Sequence, residues 1–147
     1  MKEVLADFTN YLLSDPRLEY IKAGGGIVIA TSREVIPLQE KTPYIYLTDG
    51  GTAGISHLSS YKRRMPFTVG VHVVQRVFDK EGVIMGAASQ KGIEDMAKDV
   101  RNVLDMWRHG GKYTSVFLQS EDAPTSLVEG NIHLVEKALT FEVVRIE

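Results

Sequence analysis

Apolar positions along the chain set the first boundaries. Val4, Leu5, Phe8, Tyr11 and Leu12 fall at i, i+1, i+4, i+7 and i+8, one face of a helix. Asp15-Pro16 should end it, because proline disfavours helical geometry in the residue before it. "RLEYIKAGGG" then reads as a short turn or strand leading to "GIVIA" and "YIYL", two short β-like runs joined by a connection with two prolines. "MPFTVGVHVVQRVFD" is the clearest strand. Met65, Phe67, Val69, Val71, Val73 and Val77 share one parity, broken only by Gln75, while Thr68, Gly70, His72, Val74, Arg76 and Phe78 form a mixed second face. "DKEG" reads as a turn.

A second helix is written more strongly than the first. Ile93, Met96, Ala97, Val100, Val103, Leu104 and Trp107 keep helical spacing, with Lys91, Glu94, Asp95, Lys98, Asp99, Arg101 and Asp105 on the other sides. Ser89 serves as N-cap and His109-Gly110-Gly111 as stop, and Trp107 should close the apolar stripe as a core anchor. Two strands finish the chain, "KYTSVFLQ" and "NIHLVEKALTFEVVRI". Parity drifts in the last, where Leu139, Phe141 and Val143 alternate but Val144 and Ile146 change sides, so a bulge or a twist is expected. No continuous βαβα rhythm appears. The fold class expected is α+β: an antiparallel or mixed sheet with an N-terminal helix and one long amphipathic helix packed on one face.

The stretch from Asp49 to Arg64 resists both periods. It is rich in Gly, Ser and Thr and ends in Lys62, Arg63 and Arg64. It is expected to be a long, flexible loop within one domain spanning residues 1–147. Tyr44 and Tyr46 alternate with Ile45 and Leu47, so the tyrosines are expected to face outward or meet a neighbouring subunit.

Composition narrows the chemistry. The chain has 147 residues, 44 % hydrophobic and 24 % charged, with no cysteine and a net charge of −2. Disulfides, thiolate zinc sites and cysteine nucleophiles are thereby excluded. The charge gives no global pull toward nucleic acid or an anionic membrane. The first residues are too charged for a signal peptide, and no window is long and apolar enough to span a bilayer.

Gly24, Gly25 and Gly26 raise the question of a phosphate loop. Such loops follow a strand and open a helix, so that backbone N–H groups face the anion. Here the glycines follow a helix or turn and precede a strand, with no Gly-Lys-Ser/Thr after them. They read instead as a chain reversal needing positive φ. The histidines at 57, 72, 109 and 133 show no metal-ligand spacing, although His72 and His133 could meet across a sheet. Ser59, Ser60 and Ser115 lack a nucleophile-elbow setting. Glu94, Asp95, Asp99 and Asp105 read as a solvated helix face. "YKRRMP" is a local cationic cluster with an aromatic, suited to a partner protein or to DNA passing nearby.

The order of elements resembles the phage tail terminator (tail completion) family. The features that carry the resemblance are the N-terminal helix ending near "LLSDPRL", the proline-led strand "TPYIYL" and the small-residue loop after it. The long alternating strand "RMPFTVGVHVVQRVFD", the long amphipathic helix and the C-terminal strands complete it. The likeness covers nearly the whole chain as an order of elements, not as an invariant motif. It implies a non-enzymatic, cofactor-free assembly protein. That protein forms a ring of its own copies, hexameric by analogy, on the head-proximal end of the tail tube. Its partners would be the tail tube protein and a head-completion or connector protein, with DNA only in transit through the lumen and no membrane. Its place would be the virion, after assembly in the host cytoplasm. From position and charge, Tyr61, Lys62, Arg63, Arg64, Tyr44 and Tyr46 are the expected partner or lumen contacts. The alternatives are another neck or tube component, or a small α+β nucleotide-binding or enzymatic domain.

Overall fold

A computed structural model describes residues 1–30, 36–77, 91–129 and 132–147. Helix α1 runs Lys2–Ser14 and buries Val4, Leu5, Phe8 and Leu12. It ends where Asp15 turns extended, at φ −86° and ψ 126°. The Asp15 carboxylate then accepts from the Arg17 backbone N–H at 2.9 Å and caps a 3₁₀ turn, Pro16–Leu18. Helix α2 follows over Glu19–Ala23, where a turn or strand was expected. With five residues it is too short to display a period, and its single buried residue, Ile21, fixes it to the core.

The triple glycine is the expected reversal. Gly26 sits at φ +73°. A Cβ on Gly25 would stand 2.3 Å from the Lys41 carbonyl oxygen, so glycine is also required by the close passage of the chain entering the next strand.

The described strands are β1 (Gly26–Ile29), β2 (Tyr44–Thr52), β3 (Ser56–His57), β4 (Arg63–Arg76), β5 (Ser115–Glu121), β6 (Thr125–Glu129) and β7 (Ile132–Ile146). They form one mixed sheet in the order β1-β2-β4-β7-β5. β1 runs parallel to β2, and the other pairs are antiparallel. β3 pairs with the start of β4, and β6 with the start of β7. The β4–β7 ladder holds one register from Arg64↔Ile146 to Arg76↔Leu134. The parity drift in the last strand therefore has no bulge against β4. β7 is an interior strand with apolar residues on both faces, so alternation is not imposed on it. Register shifts fall instead in β5, between Leu118 and Ser120, and in β2, between Asp49 and Thr52.

Helix α3 spans Ile93–Leu104 and buries Ile93, Met96, Ala97, Val100, Val103 and Leu104. Its N-cap is Gly92; the expected cap Ser89 and the expected turn at residues 79–82 lie outside the described residues. The helix stops before Trp107, contrary to the periodicity. Met106 takes a left-handed φ of 64°, and its N–H donates to the Val116 carbonyl at 2.9 Å. The Leu118 N–H reaches the Asp105 carboxylate at 3.4 Å. Pairing with β5 draws the chain off the helix and also covers part of an otherwise open sheet edge. Trp107 still packs on the core: it stacks on Tyr11 at 4.1 Å and meets Phe8 edge-on at 5.6 Å.

The three described helices pack against one face of the sheet. The main core joins α1, α2 and α3 to Ile45, Leu47, Phe67, Val69, Val71, Val73, Leu139, Phe141 and Val143. This is the α+β architecture expected. On the opposite face a smaller cluster gathers Tyr44, Tyr46, Val74 and Leu134 beneath Val28, Ala30 and Ile36.

Candidate interaction surface

Two places in this frame hold the side chains that sequence singled out. One is the β3–β4 hairpin, and the other is the sheet face away from the helices.

The stretch expected to be one irregular loop is partly strand. Asp49–Thr52 belongs to β2, Ser56–His57 is β3, and Arg63 and Arg64 begin β4. The turn between is closed by the Leu58 and Ser59 N–H groups donating to the Lys62 carbonyl, at 2.9 and 3.3 Å. Arg63 exchanges backbone hydrogen bonds with Glu147, tying the hairpin base to the chain end. Tyr61, Lys62 and Arg63 are exposed, and Arg64 lies 3.6 Å from Glu142. These four residues are thus adjacent on one hairpin. Ile55 and Leu58 are also exposed on it. Sequence reasoning passed over these two because isolated apolar residues in a polar stretch carry no period.

Tyr44 and Tyr46 are elsewhere, and the expectation that they face outward is corrected. Their exposures are 0 % and 4 %. β2 lies between β1 and β4, and residues near Ile36 cover its second face, so both parities are buried. The Tyr44 hydroxyl donates to the Pro37 carbonyl at 2.9 Å. Burial and then the charge of Glu136 push its phenol up to about 12.

Tyr46 stacks on the His72 ring at 4.3 Å. His72 Nδ1 lies 2.5 Å from Glu136 Oε1, and its Nε2 lies 3.0 Å from Thr48 Oγ1. An ionised carboxylate only accepts, so Nδ1 carries the proton; with a neutral ring, the Thr48 hydroxyl donates to Nε2. Glu136 also accepts from the Tyr46 hydroxyl. Burial pushes the Glu136 carboxyl up, but the hydrogen bonds from His72 and Tyr46 outweigh it and hold it below its ordinary range. Burial and the same bond push Tyr46 far up. Gly70 makes the arrangement possible: a Cβ there would stand 2.2 Å from Thr48 Oγ1 and 2.9 Å from His72 Nε2.

Hydroxyl, imidazole and carboxylate in a row are also the parts of an acyl-transfer relay. That chemistry needs free N–H donors aimed at a developing oxyanion. Here the three side chains rise from the middle of β2, β4 and β7, whose backbone is committed to ladder pairing. What the row does is link three neighbouring strands through otherwise unsatisfied polar groups.

The remaining candidates do not converge. His72 and His133 stand on opposite faces of the sheet, since His133 shares the parity of Val135 and Leu139. Among the described residues no group of three or more His, Asp or Glu could hold a metal ion. Two of the four carboxylates are tethered, Glu94 to Lys137 at 3.2 Å and Asp99 to Lys91 at 2.7 Å, while Asp95 and Asp105 are exposed as expected. No described helix is long and apolar enough to cross a membrane.

No family model matches the chain, and no curated protein matches it. Among solved structures, it superposes on a chain of the "Virion of native gene transfer agent (GTA) particle" with a TM-score of 0.60. The match is 10 % identical and covers 95 % of this chain and 92 % of that one. At that identity the likeness is one of fold. A second solved chain, 17 % identical over 92 % of this chain and 86 % of that one, has a TM-score of 0.44 and carries no argument.

Proposed function

We propose that this chain is a non-enzymatic virion assembly protein of the tail-terminator kind. It closes into a ring, a hexamer by analogy, on the head-proximal end of a tail tube, stops tube growth and offers the surface to which a head-completion or connector protein binds. DNA passes through its lumen only in transit. The observation that carries the reading is the whole-length likeness of fold to a chain from a gene transfer agent virion, 95 % of one against 92 % of the other. The order of elements that resembles tail terminators supports it independently. Tyr61, Lys62, Arg63 and Arg64, adjacent on the β3–β4 hairpin, are the proposed contact with the tube or lumen. Tyr44 and Tyr46 leave that set because they are buried.

The test is to mix the purified chain with a polymerising tail-tube protein from the same particle and to image the products. A terminator arrests growth and appears as one ring at one end of each tube. A tube protein instead stacks into filaments by itself, because heterologous contacts that do not close propagate. Tubes that grow to the same length distribution with and without the chain, and carry no terminal ring, sink the reading.

A further inference from the structure

Arg145 stands between the base of the β3–β4 hairpin and the first turn of α1. It lies near the end of β7 on the helix side of the sheet, half-buried, with its guanidinium carbon 5.3 Å from the centre of the Phe67 ring. Its Nη1 donates to Glu3 Oε2 at 3.2 Å, and its Nη2 donates to Glu147 Oε1. Its Nε is buried with no hydrogen-bond partner among the described residues. Removing a guanidinium from water and leaving one donor unpaired costs free energy. Methionine would cover Phe67 without that cost. What arginine adds over methionine is a connection.

The connection runs from strand to helix. Glu147 exchanges two backbone hydrogen bonds with Arg63, at 2.6 and 2.8 Å, at the foot of the hairpin. At the other end Glu3 also accepts from Lys112 Nζ at 2.5 Å, and Lys112 and Tyr113 both donate to Asp7, one turn further along α1. Lys112 first, and then Arg145, hold the Glu3 carboxyl below its ordinary range, so it is ionised at neutral pH. Arg63, Glu147, Arg145, Glu3, Lys112 and Asp7 thus form one continuous line of contacts, in which Arg145 and Glu3 are 142 positions apart. Segments that share such contacts share part of the free energy of local opening.

We infer that Arg145 couples the hairpin base to α1: the Arg63–Glu147 pair and the first turn of α1 open together, and a partner seated on the hairpin also steadies α1. The first half is a property of the free chain. The second rests on the hairpin contact proposed above.

Amide exchange of the full chain, without any tube protein, tests the first half. The reporters are the Leu5 N–H, which donates to the Met1 carbonyl at 3.0 Å, and the N–H groups of Arg63 and Glu147. Glu3→Gln alters an exposed side chain and should leave the melting temperature unchanged. It should speed exchange at Leu5, and also at Arg63 and Glu147, by about two- to fivefold, the range of an exposed ion pair. In an Arg145→Met background the same change should still speed Leu5, through the lost Lys112 contact, and leave Arg63 and Glu147 as they were. Glu147→Gln cuts the line at an exposed residue and should uncouple in the same way, so the test stands even if Arg145→Met does not fold. Unchanged exchange at Arg63 and Glu147 on Glu3→Gln alone overturns the inference. So does an effect there that persists in both backgrounds. Adding tail-tube assemblies should then slow exchange at Leu5 in the wild type and not in Glu147→Gln; equal slowing in both overturns the second half. Failure of the wild type to bind tubes counts against the terminator reading, while the free-chain comparison still decides the coupling.

Discussion

The two faces of this sheet are buried in different ways. Toward the helices, Val69, Val71, Val73, Leu139 and Phe141 meet α1 and α3 in an apolar core. Away from them, Tyr46, His72, Glu136 and Thr48 are tied into one hydrogen-bonded row across β2, β4 and β7. Apolar packing is non-directional, so the first face tolerates exchange at constant volume. The second is directional: each donor needs its acceptor in place, and losing one partner strands another. The first face supplies most of the stability. The second adds a penalty for incorrect strand register, because a slip of one residue would send His72 to the helix side.

The largest effect is expected on the helix face. Phe141 is fully buried and meets Phe8 edge-on at 6.4 Å. Phe141→Ala should cost ~3–5 kcal/mol, from lost transfer energy and the cavity left behind. Chemical denaturation with an unchanged slope is the measurement. A loss below that of a typical surface change would show that the core is not centred where we place it.

A smaller and pH-dependent effect is expected on the other face. Glu136→Ala leaves His72 and Tyr46 without their acceptor and should cost ~1–3 kcal/mol near neutral pH. The native carboxyl titrates below its ordinary value of 4.5, so the unfolded chain binds the proton more readily. The stabilisation is therefore complete above that value and is lost as pH falls through the lowered native one. The gap between wild type and variant should narrow on acidification. A gap that stays constant from neutral pH to pH ~3 would mean that Glu136 acts by packing and not by charge.

The smallest stability effect should come from the hairpin. Lys62→Ala/Arg63→Ala/Arg64→Ala should change stability by no more than ~0.5 kcal/mol, since these side chains lie outside both buried clusters. Amide exchange should be fast between residues 53 and 62 and slow along Phe67–Val74, which is paired on both sides. Equal protection of the two stretches in the free chain would show that the exposed hairpin is held as firmly as the sheet centre.

Both long amphipathic patterns were legible because each records one covered face. Val4 to Leu12 and Ile93 to Leu104 could be read at the helical period, and Phe67, Val69, Val71 and Val73 at the strand period. Residues buried on two sides erase that record. "YIYL" has the alternation of a half-exposed strand, yet all four side chains are buried, because β1 and β4 flank β2 and the chain near Ile36 closes over it. Short elements leave too few positions to show a period. α2, β3 and β6 were missed for that reason, and the apolar tip of Ile55, Leu58 and Tyr61 was missed with β3.

The sequence by itself determined the α+β class, the stop of α1 at Asp15-Pro16, the glycine reversal and the long strands at the sheet centre. Each follows from local sterics or from the period of one buried face. Only the tertiary structure decided that Tyr44 and Tyr46 turn inward, that α3 ends at Leu104, and that Thr48, His72 and Glu136 meet. Those outcomes depend on contacts between separate elements: the Thr48–His72 and His72–Glu136 bonds join residues 24 and 64 positions apart, and the end of α3 depends on β5. A window of neighbouring residues contains only one partner of such a contact.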